Sequence, residues 1–178
     1  MRALLNRLGH FILAIGLVAG AAEASAFTLQ LTPANGQVGG PAGSVVGWGY
    51  SITNDTSSYL VPTALNADLF SYGSPLALFD FPAIAPHSTW TSDFVANMSG
   101  LFQLTWDPDA PVGFANFGQF SLAADFYDND PLAGGEYVGN AGEAVATYTA
   151  VVTVPEPCTS LLLACGLLSM AGLRRHRT

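Results

Sequence analysis

Clusters of oxygen-bearing side chains are the places in this sequence where chemistry could be done. Asp125, Asp128, Asn129 and Asp130 fall within six residues, and Asp107 and Asp109 flank Pro108. Carboxylates and carbonyls gathered in a loop suit calcium, which takes about six to eight oxygen ligands. The EF-hand spacing and its closing Glu are absent, and acidic turns are usually just solvated. The sequence therefore requires no cofactor, and calcium at Asp125, Asp128, Asn129 and Asp130 is the one it could hold. Paired carboxylates could also serve a glycosidase, but no aromatic-lined cleft is evident along the alternating segments. His87 is the only histidine between the two apolar ends of the chain. A Ser-His-Asp site or a histidine-rich zinc site would have to be built on it alone. Both cysteines, Cys158 and Cys165, lie in the apolar C-terminal segment, so residues 27–153 cannot rely on a disulfide. The expectation is a protein that is not an enzyme.

The elements that must position these residues read as strands. From Phe27 the apolar period is two: Phe27, Leu29 and Leu31 alternate with Thr28, Gln30 and Thr32. Pro33 to Gly36 and Gly39 to Pro41 mark a long turn region. Val46, Trp48, Tyr50 and Ile52 then share one face of a strand that ends at Asn54-Asp55, residues whose side chains can bond the local backbone in a turn. Phe70 to Tyr72 and Leu76 to Phe81 are candidate strands broken by Gly73, Ser74 and Pro75. Alternation follows at Trp90, Ser92 and Phe94, at Phe102, Leu104 and Trp106, at Phe120, Leu122, Ala124 and Phe126, and from Ala144 to Val154. No capped 3.6-residue period of ten or more residues interrupts the series. Seven or eight short strands without crossover helices predict an all-β fold, an antiparallel immunoglobulin-like β-sandwich. An N-terminal signal helix and a C-terminal transmembrane helix are expected to flank it.

The charge pattern excludes one class of partner. Between Phe27 and Val154 stand nine Asp and two Glu against no Lys or Arg, a net charge near -11. Such a field repels phosphate backbones, so nucleic acid is not expected as a partner. It also leaves the sandwich without Lys or Arg salt bridges, and apolar burial and hydrogen bonds must hold it together.

All five basic residues lie at the ends. Arg2 and Arg7 precede an apolar run from Phe11 to Ala22, and Ala24-Ser25-Ala26 has the small-residue pattern of a signal cleavage site, with the cut expected before Phe27. At the other end Val154-Pro155-Glu156-Pro157 breaks the last strand, since two prolines fix φ and remove two donors. Cys158 to Leu173 carries no charge over 16 positions, a helix of about 24 Å against a hydrocarbon core of about 30 Å. Arg174, Arg175, His176 and Arg177 follow, and such a cluster holds a membrane helix with that end in the cytoplasm.

In this layout residues 154 to 177 resemble the sorting signal of PEP-CTERM proteins, substrates of exosortase in Gram-negative bacteria. Cys158 stands where Ser or Thr is commoner, and His176 interrupts the Arg run. The resemblance implies recognition at Val154, Pro155, Glu156 and Pro157 by a membrane-embedded, transpeptidase-like exosortase, with Arg174, Arg175 and Arg177 as the topology signal. It implies a link to extracellular polysaccharide as well. The same tail is sometimes labelled an ice-binding protein C-terminal domain, but no repeated flat Thr array extends that name to the middle of the chain.

The expected organisation is a signal peptide over 1–26, a β-sandwich domain over 27–153 and a sorting signal over 154–178. The secretion translocon, the inner membrane and the processing enzyme are its expected partners. Anchored in the inner membrane with its domain in the periplasm, the protein is expected to pass after cleavage to the cell surface or the extracellular matrix. Two readings compete with this one: a calcium- or carbohydrate-binding adhesion module with the same address, and a secreted hydrolase.

Overall fold

The computed structural model describes residues 26–154. Ala24, expected at the signal cleavage site, Pro155, Glu156 and Pro157 of the expected motif, the segment 158–173 and the cluster Arg174, Arg175 and Arg177 lie outside the described residues. Among those described, no helix is long and apolar enough to cross a membrane.

Nine strands form two sheets. In chain order they are β1 (Phe27–Thr32), β2 (Gln37–Gly40), β3 (Val45–Asn54), β4 (Tyr59–Ala67), β5 (Gly73–Ala77), β6 (Ser88–Ser92), β7 (Phe102–Trp106), β8 (Ala115–Tyr127) and β9 (Tyr137–Val152). One sheet runs β1-β3-β7-β5 with β6 also on β3, and the other runs β2-β9-β8-β4. The predicted all-β fold is therefore observed, with one difference in pairing. β2 runs parallel to β9, Gln37 opposite Thr149 and Gly40 opposite Val152, so the second sheet is mixed rather than antiparallel.

The core forms where period-two faces of both sheets meet. β3 supplies Val46, Trp48, Tyr50 and Ile52, β1 supplies Phe27, Leu29 and Leu31, and β7 supplies Leu104 and Trp106. Facing them are Phe120, Leu122 and Ala124 of β8 and Ala144, Tyr148, Ala150 and Val152 of β9. The aromatic centre is edge-on and offset: Trp48 meets Phe120 at 5.2 Å and 72°, and Phe120 meets Tyr148 at 4.6 Å. These are the geometries that ring quadrupoles favour.

Phe70 to Tyr72, expected as a strand, lies in none, and the strand expected over Leu76 to Phe81 stops at Ala77; three further departures each have an identifiable reason. β2 lies inside the expected turn region because its four residues, two of them Gly, show no alternation of their own and depend on β9. β4 was not expected at all, since Pro62 interrupts its pattern, yet its partner order makes it a sheet edge, where the missing donor of a proline faces outward. A bulge between Pro62 and Ala64 takes up the irregularity. The same edge rule admits Pro75: Gly73, Ser74 and Pro75, expected as a break, begin β5 on the rim of the other sheet. Pro131–Ala133 forms a single 3-10 turn.

Buried amides do the tying that salt bridges cannot. Asn54, Gln103 and Asn116 are the buried polar side chains of the described residues. Asn116 and the backbone of Ser71 exchange two bonds of 2.9 Å, and Gln103 exchanges bonds of 2.7 and 2.9 Å with Asn97. The Gln103–Asn97 pair steadies the loop that lays Phe94 over β3. At Gly47 a Cβ would lie 2.2 Å from the Phe94 ring and 2.6 Å from the Phe102 carbonyl oxygen, so only glycine allows that approach.

Candidate binding site

The segment between β5 and β6, both strands of the same sheet, runs past β4 of the other sheet without regular structure, and its backbone is held at several points. Leu78 N donates to Leu101 O at 3.1 Å; Leu60 and Ile84 exchange bonds of 2.9 and 2.8 Å; His87 N donates to Thr56 O at 3.1 Å. Asn54 Nδ2 donates to Ile84 O at 3.2 Å and Ala85 O at 3.1 Å. Held this way, the segment places Phe79 in the core and Asp80 and Phe81 at the surface.

Phe79 packs on Tyr50 at 5.0 Å and on Phe81 at 4.8 Å, both edge to face. Tyr50 Oη donates to Asp80 Oδ1 at 2.5 Å, and the side chain of Trp90, which stands opposite Ile52 on β6, reaches the same hydroxyl. Tyr50 and Phe79 are thus buried while Phe81, packed on Phe79, and Trp90 are exposed, with the Asp80 carboxylate bonded to the Tyr50 hydroxyl. Phe81 adopts φ 50°, in the left-handed region that costs a Cβ-bearing residue roughly 1–2 kcal/mol.

Burial is the first cause holding the Tyr50 hydroxyl well above the ordinary tyrosine value; the hydrogen bond to Asp80 and its charge add to it, and the Trp90 hydrogen bond opposes it. Tyr148 is pushed up to about 12, by burial first and then by the charge of Asp68. Both tyrosines stay neutral in the folded protein after those of the unfolded chain, near pH 10, have begun to ionise. Their stabilising contribution is complete below about pH 10 and is lost as pH rises through about 12 and beyond. Thermal unfolding followed by circular dichroism should show the melting temperature falling across that window. Tyr148→Phe should flatten the fall, and a fall of unchanged steepness would contradict this assignment.

The acidic residues singled out in the sequence make hydrogen bonds within and beside their own turn. Asp128, Asn129 and Asp130 share the β8–β9 connection, but each spends a side-chain oxygen on the turn. Asp128 Oδ1 accepts from Glu136 N at 2.8 Å, Asn129 Oδ1 from Asp130 N at 2.8 Å, and Asp130 Oδ1 from Leu132 N at 2.9 Å, capping the 3-10 turn. Asp125 sits back on β8, its Oδ1 accepting from Asn140 Nδ2 at 3.0 Å. Asp107 and Asp109 lie beyond the opposite end of the 13-residue β8. Among the described residues no three His, Cys, Asp or Glu side chains are grouped to hold a metal ion. His87 is exposed in its loop at φ 50°.

Of the residues expected to mark processing, Phe27 heads β1 with its side chain fully buried, Ala26 is half-buried, and Val154 is exposed two residues beyond the end of β9. Two shallow clefts of about 310 and 410 Å³ follow the seam between β1 and β9, lined by residues 27–31 and 143–147 among others. The Trp90 cluster escaped the sequence reading because its parts come from β3, β6 and the connection before β6. The run Phe79-Asp80-Phe81-Pro82, a carboxylate between two aromatics ahead of a proline, is the local signal that could have marked it. No protein-family model matches the chain, and no curated protein matches it.

Proposed function

We propose that this protein is an exported, non-enzymatic component of the cell envelope or extracellular matrix, delivered by its leader and processed through a PEP-CTERM signal by an exosortase-type enzyme. The observation that carries this reading is the order of features in residues 154–177: Val-Pro-Glu-Pro, an uncharged run of 16 residues, then the Arg cluster. Two structural facts support it. β9 ends at Val152 and Val154 is exposed, so a cut near Pro155 to Pro157 would remove no strand. At the other end, a cut before Phe27 would leave β1 entire.

The immunoglobulin-like form of the sandwich belongs to the same proposal. Its support is the strand order, β1-β3-β7-β5 facing β9-β8-β4, which follows the ABED and GFC sheets of that fold, with β2 and β6 as additions.

Mass spectrometry of the protein from cells with and without the processing enzyme tests the sorting reading. The expected mature chain begins at Phe27 and ends between Val154 and Pro157, and Glu156→Ala should leave Arg177 attached. Wild-type chains that keep Arg177 where the enzyme is present would overturn the proposal.

A further inference from the structure

We propose that Trp90, Phe81 and Asp80 form a platform that binds a neutral pyranose glycan. Of the three tryptophans, Trp48 and Trp106 are 0% and 1% exposed, whereas Trp90 is 42% exposed. Phe81, a few residues before it in the chain, is 47% exposed and held at a positive φ. Exposing two aromatic faces and straining one of them gives the fold little, and strain of this kind concentrates where a surface is shaped for a ligand. The rings are also preorganised. Phe79 supports Phe81 from beneath and itself packs on Tyr50, the Asn54 bonds and the Leu60–Ile84 pair fix the backbone that carries Phe81, and Trp90 is set by its pairing opposite Ile52 in the β3–β6 ladder. A rigid surface loses less entropy on binding.

The chemistry matches a sugar ring. A pyranose presents an apolar C–H face, which buries well against an indole or phenyl ring, and a rim of hydroxyls. Asp80 is exposed, and its carboxylate has about four lone-pair directions, of which the Tyr50 hydroxyl takes one. Neighbouring hydroxyls can donate to the others. Eleven carboxylates with no Lys or Arg between residues 27 and 154 repel a uronate or sulfated chain, which makes the glycan neutral. A quaternary ammonium would be drawn by the same charge, but it needs several ring faces around one point. Here Tyr50 and Phe79 are 1% and 8% exposed, so only Phe81 and Trp90 offer ring faces to a ligand. This inference does not depend on processing at residues 154–157, and either can fail without the other.

Because Trp48 and Trp106 are buried, a ligand-induced change in tryptophan emission reports on Trp90. The full-length protein should be titrated with neutral hexaoses of glucose, mannose and galactose, with an oligoguluronate, and with tetramethylammonium. The expected result is a saturable change in emission with at least one neutral hexaose and none with the oligoguluronate. Affinity should fall about tenfold or more in Phe81→Ala and Asp80→Asn, and calorimetry should find binding abolished in Trp90→Ala. All three variants should keep the wild-type near-ultraviolet circular dichroism of their buried aromatics, separating lost binding from lost fold. No response to any neutral hexaose, binding undiminished in Trp90→Ala, or a response to tetramethylammonium alone would each overturn the proposal.

Discussion

Asn54→Asp is expected to destabilise the protein by about 3–5 kcal/mol at neutral pH, the range for leaving a buried charge without its partner. The Asn54 side chain is fully buried and does two jobs at once. Its Nδ2 donates to Ser58 O at 2.8 Å, Ala85 O at 3.1 Å and Ile84 O at 3.2 Å, while Oδ1 accepts from Thr56 N at 3.1 Å and Thr56 Oγ1 at 2.7 Å. A carboxylate would keep the acceptor half and set its second oxygen against three carbonyls. No Lys or Arg between residues 27 and 154 could neutralise it. Burial and the facing carbonyls would raise the folded-state pKa of the new carboxyl above its unfolded value. The penalty is then full above the folded-state pKa and relieved as pH falls through it. For a domain of this size the melting temperature should drop by roughly 10–20 °C at pH 7. The gap to wild type should narrow toward pH 4. Asn54→Ala removes the same bonds without adding a charge, so its deficit should not depend on pH in this way. A loss under 1 kcal/mol for Asn54→Asp would show that the loop bonds form independently of this side chain.

Much of the sandwich is legible in the sequence wherever one strand face is buried and the other is wet. Val46, Trp48, Tyr50 and Ile52, like Phe120, Leu122 and Ala124, alternate because side chains on successive residues point to opposite faces. Where pairing depends on distant partners the alternation fades. β2 exists because β9 leaves backbone groups free at Thr149 to Val152, and β4 survives Pro62 because it is an edge. In the acidic turn 128–130 one side-chain oxygen of each residue accepts from the N–H of Glu136, Asp130 or Leu132, bonds that composition does not reveal. Asn54 is readable as a turn residue but not as the amide that ties residues 84 and 85, which lie 30 and 31 positions on. The Trp90 cluster was hidden for the same reason. Which exposed aromatics end up beside which carboxylate depends on a connection with no period at all.

Trp48 carries the second large effect, and a comparison with Trp106 separates its two parts. Trp48→Ala should cost about 3–5 kcal/mol, the range for deleting a large buried aromatic. The ring is wholly buried against Phe70, Phe120 and Tyr148, so the cavity has little means of closing. Trp48→Phe keeps a ring but loses the bond from Nε1 to Gly36 O, 2.9 Å long and buried. Gly36 lies at φ 66° in the turn between β1 and β2, and its carbonyl also accepts from Thr149 N at 2.9 Å. The indole thus ties β3 of one sheet to the turn from which β2 docks on β9 of the other. Trp106 is equally buried, but among the described residues its Nε1 has no hydrogen-bond partner. Trp106→Phe therefore gives up ring volume and removes an unpaired donor, whereas Trp48→Phe gives up volume and a satisfied bond. Trp48→Phe should be the more destabilising of the two by about 1 kcal/mol, the net worth of one hydrogen bond. Because β2 pairs over only four residues, it should loosen first. Hydrogen exchange at Val38 and Gly40 should accelerate in Trp48→Phe before that of the β8–β9 amides, and in Trp106→Phe it should not. Equal losses for the two variants, with β2 protection unchanged in both, would mean that ring volume alone governs these sites and that the indole bond to Gly36 contributes nothing to holding the sheets in register.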